Sequence, residues 1–139
     1  MERPTPVKRV LLVEDSPQFA STLEIALARI PGASVAHAPT GRDAIRYLEG
    51  PHGGEVCAMV TDLQMPVMDG YELIEHVRSF PAWNGLPIVV VSGAADPSSR
   101  ERIYRLGANA FFPKPCSPAE VRAKIEELIR ERDSGARDG

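Results

Sequence analysis

Four short apolar runs, each ending abruptly at a polar residue, organise this chain. Val10 to Val13 runs into Glu14-Asp15, and Met59 to Thr61 into Asp62. Ile88 to Val91 runs into Ser92-Gly93, and Phe111 to Pro113 into Lys114-Pro115. The runs are short and rich in β-branched residues, the pattern of strands buried on both faces. Ala33 to His37 is a weaker fifth run. Between the runs lie helical patterns: Phe19, Leu23, Leu27 and Ile30 share one helical face, as do Leu73, Ile74 and Val77, and Val121, Ile125, Leu128 and Ile129.

Helix starts are marked by their chemistry. Ser16-Pro17 and Asp96-Pro97 read as an N-cap followed by proline at the first helical position. Thr40 to Asp43 and Ser117 to Glu120 have the form of capping boxes, the first with the shorter Asp. Strand then helix, five times over, predicts an α/β fold with a parallel sheet wrapped on both faces. In such sheets the carboxyl ends of the strands share one edge, where sites form. Glu14, Asp15, Asp62, Ser92 and Lys114 would then meet there. Carboxylates about 4 Å apart repel by roughly 4 kcal/mol at an effective dielectric near 20, so the cluster calls for a cation. Three carboxylates, one hydroxyl and one ammonium suit a divalent metal and a phosphoryl group.

Composition narrows this picture. At 139 residues, with 43% hydrophobic and 25% charged residues, the chain fits one soluble domain with its own core. The net charge of −3 offers no basic footprint for nucleic acid. No stretch is apolar for long enough to cross a bilayer. Cys57 and Cys116 have no metal-binding spacing; Cys57 reads as a small buried hydrophobe, and a reduced, cytoplasmic setting follows. The ends, Met1 to Pro6 and Asp133 to Gly139, read as flexible tails around a domain over residues 7–132.

From about Val7 to Arg130 the chain resembles the receiver domains of two-component response regulators, the flavodoxin-like family that includes the chemotaxis response regulator. The resemblance rests on Glu14-Asp15, on Asp62 within Asp62-Leu63-Gln64-Met65-Pro66-Val67-Met68-Asp69-Gly70, on Ser92 and on Lys114-Pro115, in that order. It implies a flavodoxin-like (βα)5 sheet of order 2-1-3-4-5. It further implies that Asp62 accepts a phosphoryl group from a histidine kinase or phosphotransfer protein. Mg2+ would be held by Asp15, Asp62 and the Gln64 backbone carbonyl, with Glu14 acting through a water. Lys114 would pair with Asp62 and then with a phosphoryl oxygen, and Ser92 would donate to another. Ser92 and Phe111 would form the switch, and the Lys114–Pro115 bond is a cis candidate. A downstream protein would dock on the fourth helix, fifth strand and fifth helix, using Arg100, Arg102 and Arg105. Beyond self-phosphorylation and autodephosphorylation no enzyme activity is implied.

Competing readings remain. Asp69 precedes a helix and reads as a cap, and His37, His52 and His76 read as surface or structural. Phe111 could be a fixed core residue. Asn109-Ala110 and Cys116 depart from the receivers that dimerise to drive DNA-binding domains. A haloacid-dehalogenase-type phosphatase needs a second Asp where Gln64 stands. The chain could instead be a docking domain that keeps the fold without phosphorylation, or a receiver cut from a larger regulator or hybrid kinase.

Overall fold

A computed structural model describes residues 8–93 and 97–138, with only the helical backbone for 135–138. The expected N-terminal tail and the Asp96 cap lie outside the described residues. The strands are β1 (Lys8–Val13), β2 (Ala33–Ala38), β3 (Val56–Thr61), β4 (Ile88–Ser92) and β5 (Ala110–Pro113). The helices are α1 (Pro17–Leu27), α2 (Gly41–Glu49), α3 (Gly70–Ser79), α4 (Pro97–Leu106) and α5 (Pro118–Asp138). All four strand pairings are parallel, and the order is β2-β1-β3-β4-β5, the one the family resemblance implies.

Alternation along β1 explains why helices cover both faces. Leu11 and Val13 join Leu48 of α2, Leu73, Ile74 and Val77 of α3 and Ile103 of α4 in one core. Val10 and Leu12 point the other way, into a core with Leu23 and Leu27 of α1 and Val121 and Ile125 of α5. A strand buried on both faces cannot afford polar positions, which is why its sequence is an unbroken apolar run.

The caps account for the helix starts. The Ser16 side chain accepts from the Phe19 N–H, and Pro17 occupies the first helical position of α1. Thr40 accepts from the Asp43 N–H at 3.1 Å, and Ser117 from the Glu120 N–H at 3.3 Å. Asp69 caps α3 through a complete capping box with Glu72.

Three details differ from the sequence reading. Helix α1 stops at Leu27, yet Ile30 stays buried because the following turn folds its N–H onto the Leu27 carbonyl at 3.1 Å. Helix α5 continues past Arg132 to Asp138, with no break at the expected domain boundary. Cys57 is half-buried, not buried, and its thiol donates to the Arg9 carbonyl. Among the described residues no helix is long and apolar enough to cross a membrane.

The β3–α3 loop matters most for the site. Its two ends are joined by a bond from the Gly70 N–H to the Leu63 carbonyl at 2.9 Å. A Cβ at position 70 would collide with the Asp62 carbonyl and lie 2.7 Å from the Leu63 Cα. Only glycine permits this approach, which seats the start of α3 against Asp62.

Candidate functional site at the carboxyl edge of the sheet

The parallel ladder delivers its terminal side chains to one place. Asp62 N–H donates to the Val13 carbonyl at 3.2 Å, and Glu14 N–H to the Ala38 carbonyl at 3.2 Å. These bonds carry the ladder one residue past β1 and β3, so Glu14 and Asp62 become neighbours. At the other side Lys114 N–H donates to the Ser92 carbonyl at 3.0 Å, and the Lys114–Pro115 bond is cis. The Lys114 side chain reaches back across the sheet edge. Its ammonium lies 2.6 Å from Glu14 Oε1 and 2.9 Å from Asp62 Oδ2.

Asp62 is held on both oxygens. Oδ1 accepts from the Leu63 N–H at 2.6 Å and the Gln64 N–H at 3.2 Å, while Oδ2 faces Lys114. Glu14 Oε2 accepts from the Ser16 N–H at 3.4 Å. Glu14 is 2% exposed and Asp62 7%, whereas Asp15 is exposed. Carboxylate oxygens of Glu14, Asp15 and Asp62 lie within 4.8 Å of one another. An all-oxygen donor set of this kind suits a hard divalent cation. Ser92 is fully buried at the end of β4.

Burial pushes the Glu14 carboxyl above its ordinary value, against the opposing pull of its hydrogen bond to Lys114. Burial also works against the Lys114 ammonium, but hydrogen bonds to Glu14 and Asp62 outweigh it and raise the lysine. Native Glu14 therefore binds its proton more tightly than Glu14 in the unfolded chain. From the ordinary carboxyl value near 4.5 up to the raised native value, the folded state carries more protons, so stability falls as pH rises. In metal-free buffer the thermal midpoint of the wild type, taken relative to Glu14→Gln, is expected to fall as pH rises from the ordinary carboxyl value near 4.5. A difference that stays flat or rises with pH would contradict this account of Glu14.

This geometry has close relatives. The response regulator receiver domain family matches residues 10–126.

The chain belongs to that family.

The receiver is 35% identical over 121 residues to the gliding motility regulatory protein of Myxococcus xanthus, covering 87% of this chain and 15% of that protein. It is 32% identical over 118 residues to an uncharacterised 14.6 kDa protein of Leptolyngbya boryana, covering 85% of this chain and 87% of that one. A CheY-like receiver domain protein of Methanospirillum hungatei superposes with a TM-score of 0.81 at 25% identity, over 93% of this chain and 98% of that one. The chain spans about half the length of several transcriptional regulators it matches. Receivers of this family are signalling switches that work with histidine kinases or phosphotransfer proteins, and are not classical enzymes.

Two residues of the receiver's site escaped the sequence reading as site members. Phe19, read only as part of the α1 core face, lies with its ring 4.1 Å below the Lys114 ammonium. That is a cation–π contact. Its place in the first turn of α1, three residues after the Ser16 cap, was the available signal. His37, read as surface or structural, has Nε2 2.8 Å from the Glu14 carbonyl. The arginines of α4 divide. Arg100 stacks over Phe111 at 4.9 Å, Arg102 turns the other way onto Tyr71 of α3 at 4.0 Å, and Arg105 pairs with Glu101 at 3.0 Å. Arg102 is thereby drawn away from the face for which it was expected. Phe111 is half-buried and packs on the α2–α3–α4 side of the sheet.

Proposed function

We propose that this receiver accepts a phosphoryl group on Asp62 from the phosphohistidine of a sensor kinase or phosphotransfer protein, with Mg2+ as the resident metal. The observation that carries this reading is the double hold on Asp62: two backbone N–H groups on Oδ1 and one ammonium on Oδ2. The N–H pair fixes the carboxylate plane and leaves Oδ2 as the attacking oxygen. That oxygen forms the new O–P bond as the P–N bond to the donor imidazole breaks. The imidazole leaves with the bonding pair and takes a proton from solvent. Lys114 then passes from Oδ2 to a phosphoryl oxygen, keeping its charge beside the new anion. Ser92, at the end of the neighbouring strand, donates its hydroxyl to a second phosphoryl oxygen.

Asp15, Asp62 and the Gln64 carbonyl would hold the metal, with Glu14 as an outer partner. When bound, Mg2+ supplies positive charge to the crowded carboxylates and to the phosphoryl oxygens, and it characteristically takes one or two carboxylates and keeps waters. The exposure of Asp15 fits an open ligand, and the Glu14–Lys114 contact fits an indirect one.

Output is assigned to the face of α4, β5 and α5, where Arg100 covers Phe111. A downstream protein docks there, with Phe111 as the packing switch linked to Ser92 and Lys114. The cytoplasm is the matching compartment for such a partner set.

Metal titration separates the roles of the carboxylates. Asp15→Ala is expected to abolish Mg2+ binding, and Glu14→Ala only to weaken it. Equal losses, or the reverse order, would overturn the division between direct and outer partner.

A further inference from the structure

We propose that Phe19 is a positioning residue for Lys114: its ring holds the ammonium at the site while that charge passes from Asp62 to the phosphoryl group. The inference rests on the phosphoacceptor reading of Asp62.

The Lys114 ammonium meets two carboxylates and a ring. Glu14 Oε1 lies at 2.6 Å, Asp62 Oδ2 at 2.9 Å, and the centroid of the Phe19 ring at 4.1 Å, with the ammonium over its face. The lysine side chain is still 23% exposed, so water competes for the charge wherever protein does not cover it. The ring covers one such side. A single short segment sets both the ring and the nearer carboxylate. The Ser16 N–H donates to Glu14 Oε2 at 3.4 Å, and the Ser16 hydroxyl accepts from the Phe19 N–H at 3.5 Å, in the cap of α1. Phe19 also packs against the core that α1 and α5 form on their face of the sheet. The ring is thus held from its backbone and from the core.

The chemistry of the step says why a ring serves here. When Oδ2 bonds to phosphorus, its negative charge moves out to the phosphoryl oxygens, and the ammonium has to leave Oδ2 for one of them. Glu14 is the competitor: it is 2% exposed and already holds the ammonium at the shorter distance. A carboxylate in place of Phe19 would add a second competitor. An aliphatic side chain there would strip water from the ammonium and return nothing. An aromatic face attracts the charge over a broad area through its quadrupole. It therefore confines the ammonium without fixing it to one oxygen. Phe19 acts on the reaction through Lys114.

Labelling of the full chain by acetyl phosphate with Mg2+ tests this, because no donor protein is present to contact Phe19. The rate is expected to fall about tenfold in Phe19→Leu and to stay within about threefold of wild type in Phe19→Tyr, which keeps the ring. In a Lys114→Ala background, Phe19→Leu should cost less than about twofold more, since the ammonium it acts through is gone. Before phosphorylation, the Lys114 ε-methylene resonance should move downfield in Phe19→Leu, as the ring current is lost, and stay near wild type in Phe19→Tyr. Phe19→Met, which fills the space without a ring, takes the place of Phe19→Leu if thermal melting shows the leucine variant unfolded. Equal losses in the two backgrounds would assign Phe19 to packing of the site at large, and equal losses in Phe19→Leu and Phe19→Tyr to side-chain fit. Either result overturns the positioning role. So does an unmoved Lys114 resonance, or a wild-type rate in Phe19→Leu, and both leave Asp62 as phosphoacceptor. If acetyl phosphate fails to label the wild type, the phosphoacceptor reading fails, and this inference with it.

Discussion

Asp62→Asn is expected to abolish phosphorylation by acetyl phosphate and by protein donors, a loss of at least about 10³-fold in rate, since the nucleophile itself is gone. The substitution is mild in every other respect. An amide oxygen can still accept from the Leu63 and Gln64 N–H groups, so the loop keeps its two anchors. The amide nitrogen then faces the Lys114 ammonium, donor to donor, and Lys114 keeps only Glu14, at 2.6 Å. The fold should survive, as circular dichroism and thermal melting would report, while radiolabel incorporation disappears. Incorporation at the wild-type rate in Asp62→Asn would remove Asp62 from the mechanism.

Lys114→Ala is expected to slow phosphorylation by about 10²-fold and to sever it from its structural consequence. The rate loss is that of removing one preorganised charge from a developing anion. The uncoupling follows from position. Lys114 joins Asp62, just past β3, to the end of β5, where its N–H is bonded to Ser92 and Phe111 lies three residues back. In the wild type, phosphorylation should shift the amide resonances of Ser92 and of Ala110 to Phe112. In Lys114→Ala those shifts should vanish, even at full phosphate occupancy. Shifts of wild-type size in the variant would show that the message reaches β5 by another route.

Much of this architecture is legible along the chain because buried parallel strands leave no choice of residue. Val10 to Val13 and Ile88 to Val91 are apolar throughout because both of their faces are covered. The polar residue that ends each run marks the sheet edge, so the ladder assembles Glu14, Asp62, Ser92 and Lys114. Asp69 is legible as a cap because it precedes a helix, and the structure completes the cap with Glu72.

What stayed hidden depends on side-chain direction. The Glu14-Asp15 pair does not say which carboxylate turns in; the structure buries Glu14 against Lys114 and exposes Asp15. Phe19 reads as a core residue because its period matches Leu23 and Leu27, and its contact with Lys114 arises only from the fold. Arg100 and Arg102 look equivalent, yet two positions on a helix differ by about 200° in direction. One meets Phe111 on β5 and the other Tyr71 on α3. The φ of 71° at Val67 is invisible in the sequence, because nothing around it marks the turn as one that needs positive φ.

The account turns on the chemistry of one carboxylate, which intact-mass and peptide analysis after incubation with acetyl phosphate and Mg2+ reads directly. The wild type is expected to gain a single phosphoryl group on the peptide that carries Asp62, and to gain none when a chelator removes the metal. Modification on a peptide without Asp62, or modification indifferent to the chelator, would contradict the account.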